Sequence, residues 1–285
     1  VLLTRIDGSD KSESFEVNSD GIQFMDLKEL EEKTLAKDWD ALDIVDTAAQ
    51  PELALPTLTK LIKNDDPEVR EIALNCVTLI QDPQVPKVLA DALGDEDSDV
   101  RLFTLQALQT EYDESILGEL TSNLDNEDGE IRAGVALLLG LLNQSASMEP
   151  LQKRLDIEQD ESVQRDIKLA LAKLGDEDAK DEFAAQLDVA DSPTRLQGLE
   201  DMRYIGDKNL AVRILPALDD FGEGHLISDM NEEVPRFARV CDAGIDLVAQ
   251  LYEKNPFPFE VVEFKIYSDE EIEQAKSFLN SLKTE

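Results

Sequence analysis

DPEVREIALNCVTLI, residues 66–80, joins an acidic residue, a β-branched apolar residue and an arginine to an apolar stretch. The same trio returns as DSDVR at 97–101 and DGEIR at 128–132, thirty-one residues apart each time. A catalytic motif normally occurs once, whereas a motif at a fixed period marks a building unit. Further copies are read as DESVQR at 160–165, with one residue inserted before Arg165, DSPTR at 191–195, and EEVPR at 232–236. The anchor arginines are then Arg70, Arg101, Arg132, Arg165, Arg195 and Arg236, spaced 31, 31, 33, 30 and 41 residues apart.

Each period holds two amphipathic stretches. The first, as in VRLFTLQAL (100–108) or IRAGVALLLGLL (131–142), repeats apolar residues at helical spacing. After a short break come VPKVLADAL (85–93), SILGELTSNL (115–124), MEPLQKRL (148–155) and AKDEFAAQL (179–187). Residues 38–65 fit the same two-helix mould without the arginine. Asp66, Asp97, Asp128 and Asp191 precede their helices, where a carboxylate accepts from free N–H groups and suits the positive end of the dipole. The arginine falls in the first turn, where its own helix dipole does not favour it. It is better placed to bridge to acidic or carbonyl groups of the adjoining unit, so stacked units would build an Arg–Asp ladder.

This pattern resembles the HEAT-like repeats first named from phycobilisome lyases, over roughly residues 38–250. The resemblance implies an all-α, right-handed solenoid of stacked helix pairs, with first helices on the convex side and binding on the concave second helices. The expected organisation is an N-terminal arm at 1–37, the solenoid at 38–251, and a strand–helix cap at 252–285. Short strands are expected at 2–6 and 14–18, a helix at 25–38, and a long helix from Pro235 to Leu251. A β-prone run follows in NPFPFEVVEFKIY (255–267), and Ser268 with Glu271 forms a capping box for the last helix.

Sixty-four acidic against 27 basic residues give a net charge of −37. Such a surface repels nucleic acid and anionic lipid and attracts a basic partner, although solubility or salt adaptation explains the charge equally well. Cys76 and Cys241 sit in apolar helices and read as free buried thiols of a reducing, cytoplasmic protein. No apolar run approaches the roughly 18–20 residues of a membrane span.

A catalytic set is not apparent. His225, the one histidine, lies in FGEGHLISD and reads as a surface residue rather than a general base. Asp95, Asp97 and Asp99 have the first three spacings of a calcium loop, but Val100 and Gln106 stand where glycine and glutamate are needed. Trp39 and Phe257–Phe259 are expected to pack, the phenylalanines plugging the end of the core. The outward positions of the second helices supply the protein-binding candidates. They are Lys87, Asp91, Glu119, Ser122, Glu149, Gln152, Lys153, Lys180, Asp181 and Gln186.

These readings predict a non-catalytic interaction scaffold, monomeric and without cofactor or metal, that binds a basic protein, as an inhibitor or immunity protein would. The resemblance supplies the alternative, a bilin lyase or chaperone-like subunit acting on a tetrapyrrole. A bilin's propionates would want inward Arg or Lys, and the ladder already uses the arginines.

Overall fold

The computed structural model describes residues 25–189, 191–226, 237–252, 255–262 and 265–284. Expectations for 2–6, 14–18 and Arg236 lie outside them, as does the side chain of His225. The fold is an all-α solenoid of stacked helix pairs, and it divides into two units, Val1–Val135 and Ala136–Glu285.

In the first unit, α1 (Leu27–Leu35), α2 (Ala41–Asp46) and α3 (Leu55–Leu61) precede the repeats that carry the arginine. The first helices α4 (Pro67–Thr78) and α6 (Ser98–Leu108) pack side by side, and so do the second helices α5 (Val85–Asp91) and α7 (Leu117–Asn123). α8 (Gly129–Leu142) begins in this unit and continues into the second. In α4 the residues Val69, Ile72, Ala73, Cys76 and Val77 are buried together. Their i, i+3, i+4, i+7, i+8 spacing places them on one stripe, and each large apolar side chain so buried stabilises by about 1.5–3 kcal/mol.

In the second unit, α9 (Met148–Leu155), α10 (Glu161–Lys173), α11 (Glu177–Ala184) and α12 (Ser192–Ile205) continue the pairs. Gly206, at φ +70°, ends α12 in the left-handed conformation that glycine adopts without steric cost. The partner of α12 is a 3-10 helix, Lys208–Asp219, with Pro216 inside it. β1 (Glu223–Leu226) and β2 (Phe237–Arg239) pair antiparallel, and α13 (Val240–Leu251) and α14 (Asp269–Ser281) complete the chain.

The C-terminal end departs from expectation. The strands are β1 and β2, not the 255–267 run, whose described residues form no strand. Two prolines at 256 and 258 withhold the N–H groups a ladder needs. The helix expected from Pro235 begins only at Val240, because 237–239 belong to β2. Phe257 and Phe259 do plug a core, stacked 5.0 Å apart beside Tyr267, Ile272 and Leu279. Ser268 and Glu271 form the expected capping box. Trp39, expected to pack, is 45% exposed.

Candidate protein-docking surface

The inter-repeat loops are built on a three-residue device. Asn64, Asp95 and Asn126 each accept, through Oδ1, the N–H of the residue two positions on. This side-chain turn sets up Asp66, Asp97 and Asp128, whose own Oδ1 atoms accept from the first turns of α4, α6 and α8. The sequence reading missed the earlier member of the pair, although [N/D]-x-D also recurs every thirty-one residues.

The arginine four residues after each cap closes the device. Arg70 Nη1 donates to the carbonyls of Asn64 and Asp65, Arg101 Nη1 to those of Asp95 and Glu96, and Arg132 Nη1 to those of Asn126 and Glu127. Each guanidinium therefore holds its own loop first. The ladder is also real. Arg70 grips Asp95 of the next loop through Nε at 2.8 Å and Nη2 at 2.6 Å. Arg101 makes one such bond, Nη2 to Asp128 at 2.8 Å, and its buried Nε has no partner. The difference follows from position 126. Asp95 offers Arg70 a carboxylate, whereas Asn126 offers an amide, so Arg101 reaches two residues further. The bond from Arg101 holds the Asp128 carboxyl below its ordinary value.

The fourth copy corrects the sequence reading. No residue is inserted: Gln164, four residues after the cap Asp160, occupies the arginine position and donates from Nε2 to the Glu158 carbonyl. That acceptor lies six residues back, as it does for Arg70, Arg101 and Arg132. Arg165 is one step further round α10, about 100° away. It is not a ladder residue. Its Nη2 donates to both carboxylate oxygens of Asp201 on α12, at 2.5 and 2.7 Å. At the fifth copy the loop-to-loop bond returns, from Arg195 Nη1 to Asp220 at 2.8 Å.

On the second helices the candidates separate. In the first unit Lys87 is paired with Glu119 at 2.8 Å, and their bond raises the lysine's pKa and lowers the glutamate's. Asp91 and Ser122 are exposed. In the second unit Glu149 and Lys153 pair on one exposed face, Gln152 donates to Asp156, and Asp181 is exposed near Arg213. Lys180 is not outward-facing. It is 8% exposed, bonded to Asp207 at 2.7 Å and to Glu177, and its pKa is raised chiefly by Asp207. It follows the cap Asp176 by four residues, and on α11 it makes the bond to the following loop that arginine makes on α4 and α6, without the clip on its own loop carbonyls. Gln186 is half-buried and donates to Asp201. The missed signal was again the acidic cap four residues upstream.

The middle residues of the loops, Asp65, Glu96 and Glu127, and the first-turn acids Glu68, Asp99 and Glu130 face solvent. Exposed carboxylates therefore line the loop edge of the first unit more densely than its second-helix face. Among the described residues no group of three or more His, Cys, Asp or Glu side chains is arranged to hold a metal ion. Asp95 and Asp97 are occupied as Arg70 partner and helix cap. Cys76 and Cys241 are free and buried, and burial pushes their thiols up to about 12 and about 11. No described helix is long and apolar enough to cross a membrane.

Comparison with known proteins agrees with the repeat reading. Residues 40–109 match the family of HEAT repeats. No curated protein matches the chain. Among solved structures, the complex of CpcE and CpcF of phycocyanin lyase from Nostoc sp. PCC7120 aligns over 96% of this chain and 100% of the matched chain, at 14% identity and a TM-score of 0.48. The expectation of a non-enzyme is withdrawn on that finding, because the matched structure is of a lyase. Repeats of this class give the coarse functional reading of a protein-interaction scaffold. Residues 40–109 are therefore similar to HEAT repeats, and a loop device of the same kind recurs from Asn64 to Arg195.

Proposed function

We propose that the chain is a scaffold for a basic protein partner, held on the acidic solvent faces of its repeats, in the manner of an inhibitor that masks a cationic surface. The observation that carries this is the distribution of charge. The cations at the repeat joints are consumed internally, as in Arg70–Asp95, Arg101–Asp128 and Lys180–Asp207. The carboxylates left over, such as Glu96, Asp99, Glu130 and Asp91, face water. Such a surface steers a cationic partner and speeds its encounter. Within this reading the repeats occupy 38–251, with 252–285 as a cap that covers the apolar end of α13. The arginines Arg70, Arg101, Arg165 and Arg195 are bound to carboxylates and are not offered to the propionates of a tetrapyrrole.

The test is a pull-down at low salt with the intact chain, eluted by a salt step and identified by mass spectrometry. It is repeated with Glu96, Asp99 and Glu130 changed to their amides. One basic protein, eluting in stoichiometric amount from the wild type and reduced with the triple variant, supports the reading. A smear of cationic proteins unchanged by the substitutions leaves the charge as solvation and sinks it.

A further inference from the structure

The loop device recurs once more beyond α12. Gly222 N donates to Asp220 Oδ1 at 2.9 Å, as Asp97 N does to Asp95 Oδ1, and Arg195 bonds Asp220 as Arg70 bonds Asp95. Phe221 therefore holds the middle place of its loop, the place that Glu96 holds before α6, and it is 54% exposed. In the loop before α12, Val189 stands two residues ahead of the cap Asp191 and is 45% exposed. In the loop before α10, Ile157 is 61% exposed, close to the neutral Gln159 in the middle place. Three successive loops of the second unit thus hold one large apolar side chain each in water. The corresponding loops of the first unit, at 64–66 and 95–97, expose none and carry Asp65 and Glu96 instead.

These loops are neighbours. α12 packs against both α10 and α13, and Ser192 Oγ at its start donates to Asp220 Oδ1 at 2.8 Å, which brings the loop of Phe221 to the loop of Val189. Phe221 is also held in place: the Arg239 guanidinium lies over its ring, 5.2 Å from the centroid, and is itself fixed by Asp242 and the Tyr267 carbonyl. The exposed charges around the row are acidic, among them Asp156, Asp160, Glu161 and Asp191. The cations Arg213 and Lys276 are already bonded to Asp188 and Asp219. An exposed apolar row with a polar rim marks an interaction site. The acidic rim and the net charge of −37 decide its occupant, because they repel a second copy of this chain and anionic lipid and attract a cationic segment. Geometry narrows it further. Packed helices stand about 8–10 Å apart, and seven residues of a helix rise about 10.5 Å. A helix laid across the loops therefore meets one loop after another with residues i, i+7 and i+14, which lie on a single stripe.

We infer that the loop edge of the second unit, through Ile157, Val189 and Phe221, receives an amphipathic helix of the partner, apolar along that stripe and rich in lysine or arginine on either side of it. The inference rests on the reading of a basic partner and adds what the partner presents and which edge receives it. Phe221 is the anchor, because aromatic side chains held in a fixed orientation carry most of the energy of such contacts. The apolar row sets the register of the helix and the acidic rim its charge.

The experiment uses two labelled eighteen-residue peptides of lysine, alanine and leucine with the same composition. One has its leucines on a single stripe, seven residues apart, and the other has them scattered around the helix. Fluorescence anisotropy at low salt follows their binding to the full chain, wild type and a variant that combines Ile157→Ser, Val189→Ser and Phe221→Ser. The striped peptide is expected to bind the wild type at least tenfold more tightly than its isomer. In the variant that preference is lost, and the weaker binding common to both peptides stays. Equal binding of the two peptides to the wild type, or a preference that survives in the variant, overturns the inference and leaves the basic-partner reading standing. Failure of both peptides to bind overturns it as well, and the basic-partner reading is then decided by its own pull-down. Methyl NMR of the wild type keeps the test independent of how the variant folds: Ile157 and Val189 must shift with the midpoint of the striped peptide, and unmoved methyls overturn the inference.

Discussion

Arg101 and Arg165 fill the same place in the repeat when the sequence is read by eye, yet they make different structures. Arg101 holds the loop before it and the loop after it, so it is a joint between repeats. Arg165 holds neither loop and binds the middle of the next helix, Asp201. A shift of one residue along a helix rotates a side chain by about 100°, enough to exchange one neighbour for another. The device that defines these repeats is therefore an angular one. An arginine works as a joint only when it stands four residues after the cap, where the guanidinium returns over its own loop.

That comparison is broken most severely at Arg70. It is the most completely bound of the joint arginines, and Asp95 beneath it is almost as buried. Arg70→Ala removes two carbonyl bonds and leaves a buried carboxylate unpaired, a loss of about 3–5 kcal/mol. Arg101→Ala should cost less, about 2–3 kcal/mol, because its partner Asp128 is more exposed, accepts a single bond from the arginine and keeps its capping role. Urea melts of the two variants measure the order. An equal cost would show that the loop carbonyls, common to both, carry the joint.

Gln164 sharpens the comparison from the other side. If the clip on the loop carbonyl is all that remains of the joint in the fourth copy, Gln164→Ala should cost the price of one hydrogen bond, about 1 kcal/mol. A loss comparable to that of Arg70→Ala would mean that Gln164 does more than hold the Glu158 carbonyl.

How much of this was readable beforehand depends on what the physics makes periodic. Caps, apolar stripes and joint arginines repeat because every unit solves the same packing problem. They were legible in Asp66, Val69 and Arg70 and their successors. The role of Lys180 is hidden by residue type, since a lysine makes the bond to the following loop there and the pattern is read only on first helices. Arg165 falls out of register when residues are counted between arginines, because the cap is the true origin of each period. The C-terminal end was the least legible: strand pairing between β1 and β2 is non-local and obeys no period. Pro256 and Pro258 stand against a ladder there, whereas the apolar run after them has strand composition. The contrast between Asp166 and Asp181 could not come from the sequence, because the two differ in burial and neighbours rather than in type.

Asp166 also yields the smallest expected effect and the most diagnostic one. A carboxyl whose folded-state value lies above its unfolded value of about 3.8 destabilises the fold when ionised. The cost is present in full above the folded-state value, shrinks as pH falls through it, and is gone below the unfolded value. Asp166→Asn should therefore raise the melting temperature at neutral pH, by less than any of the losses above. The gain should vanish below about pH 3, where the wild-type residue is protonated in both states. If Asp166→Asn instead destabilises at neutral pH, then the bond from Arg165 outweighs the burial. The carboxylate would then be held as part of the α10–α12 packing through Arg165.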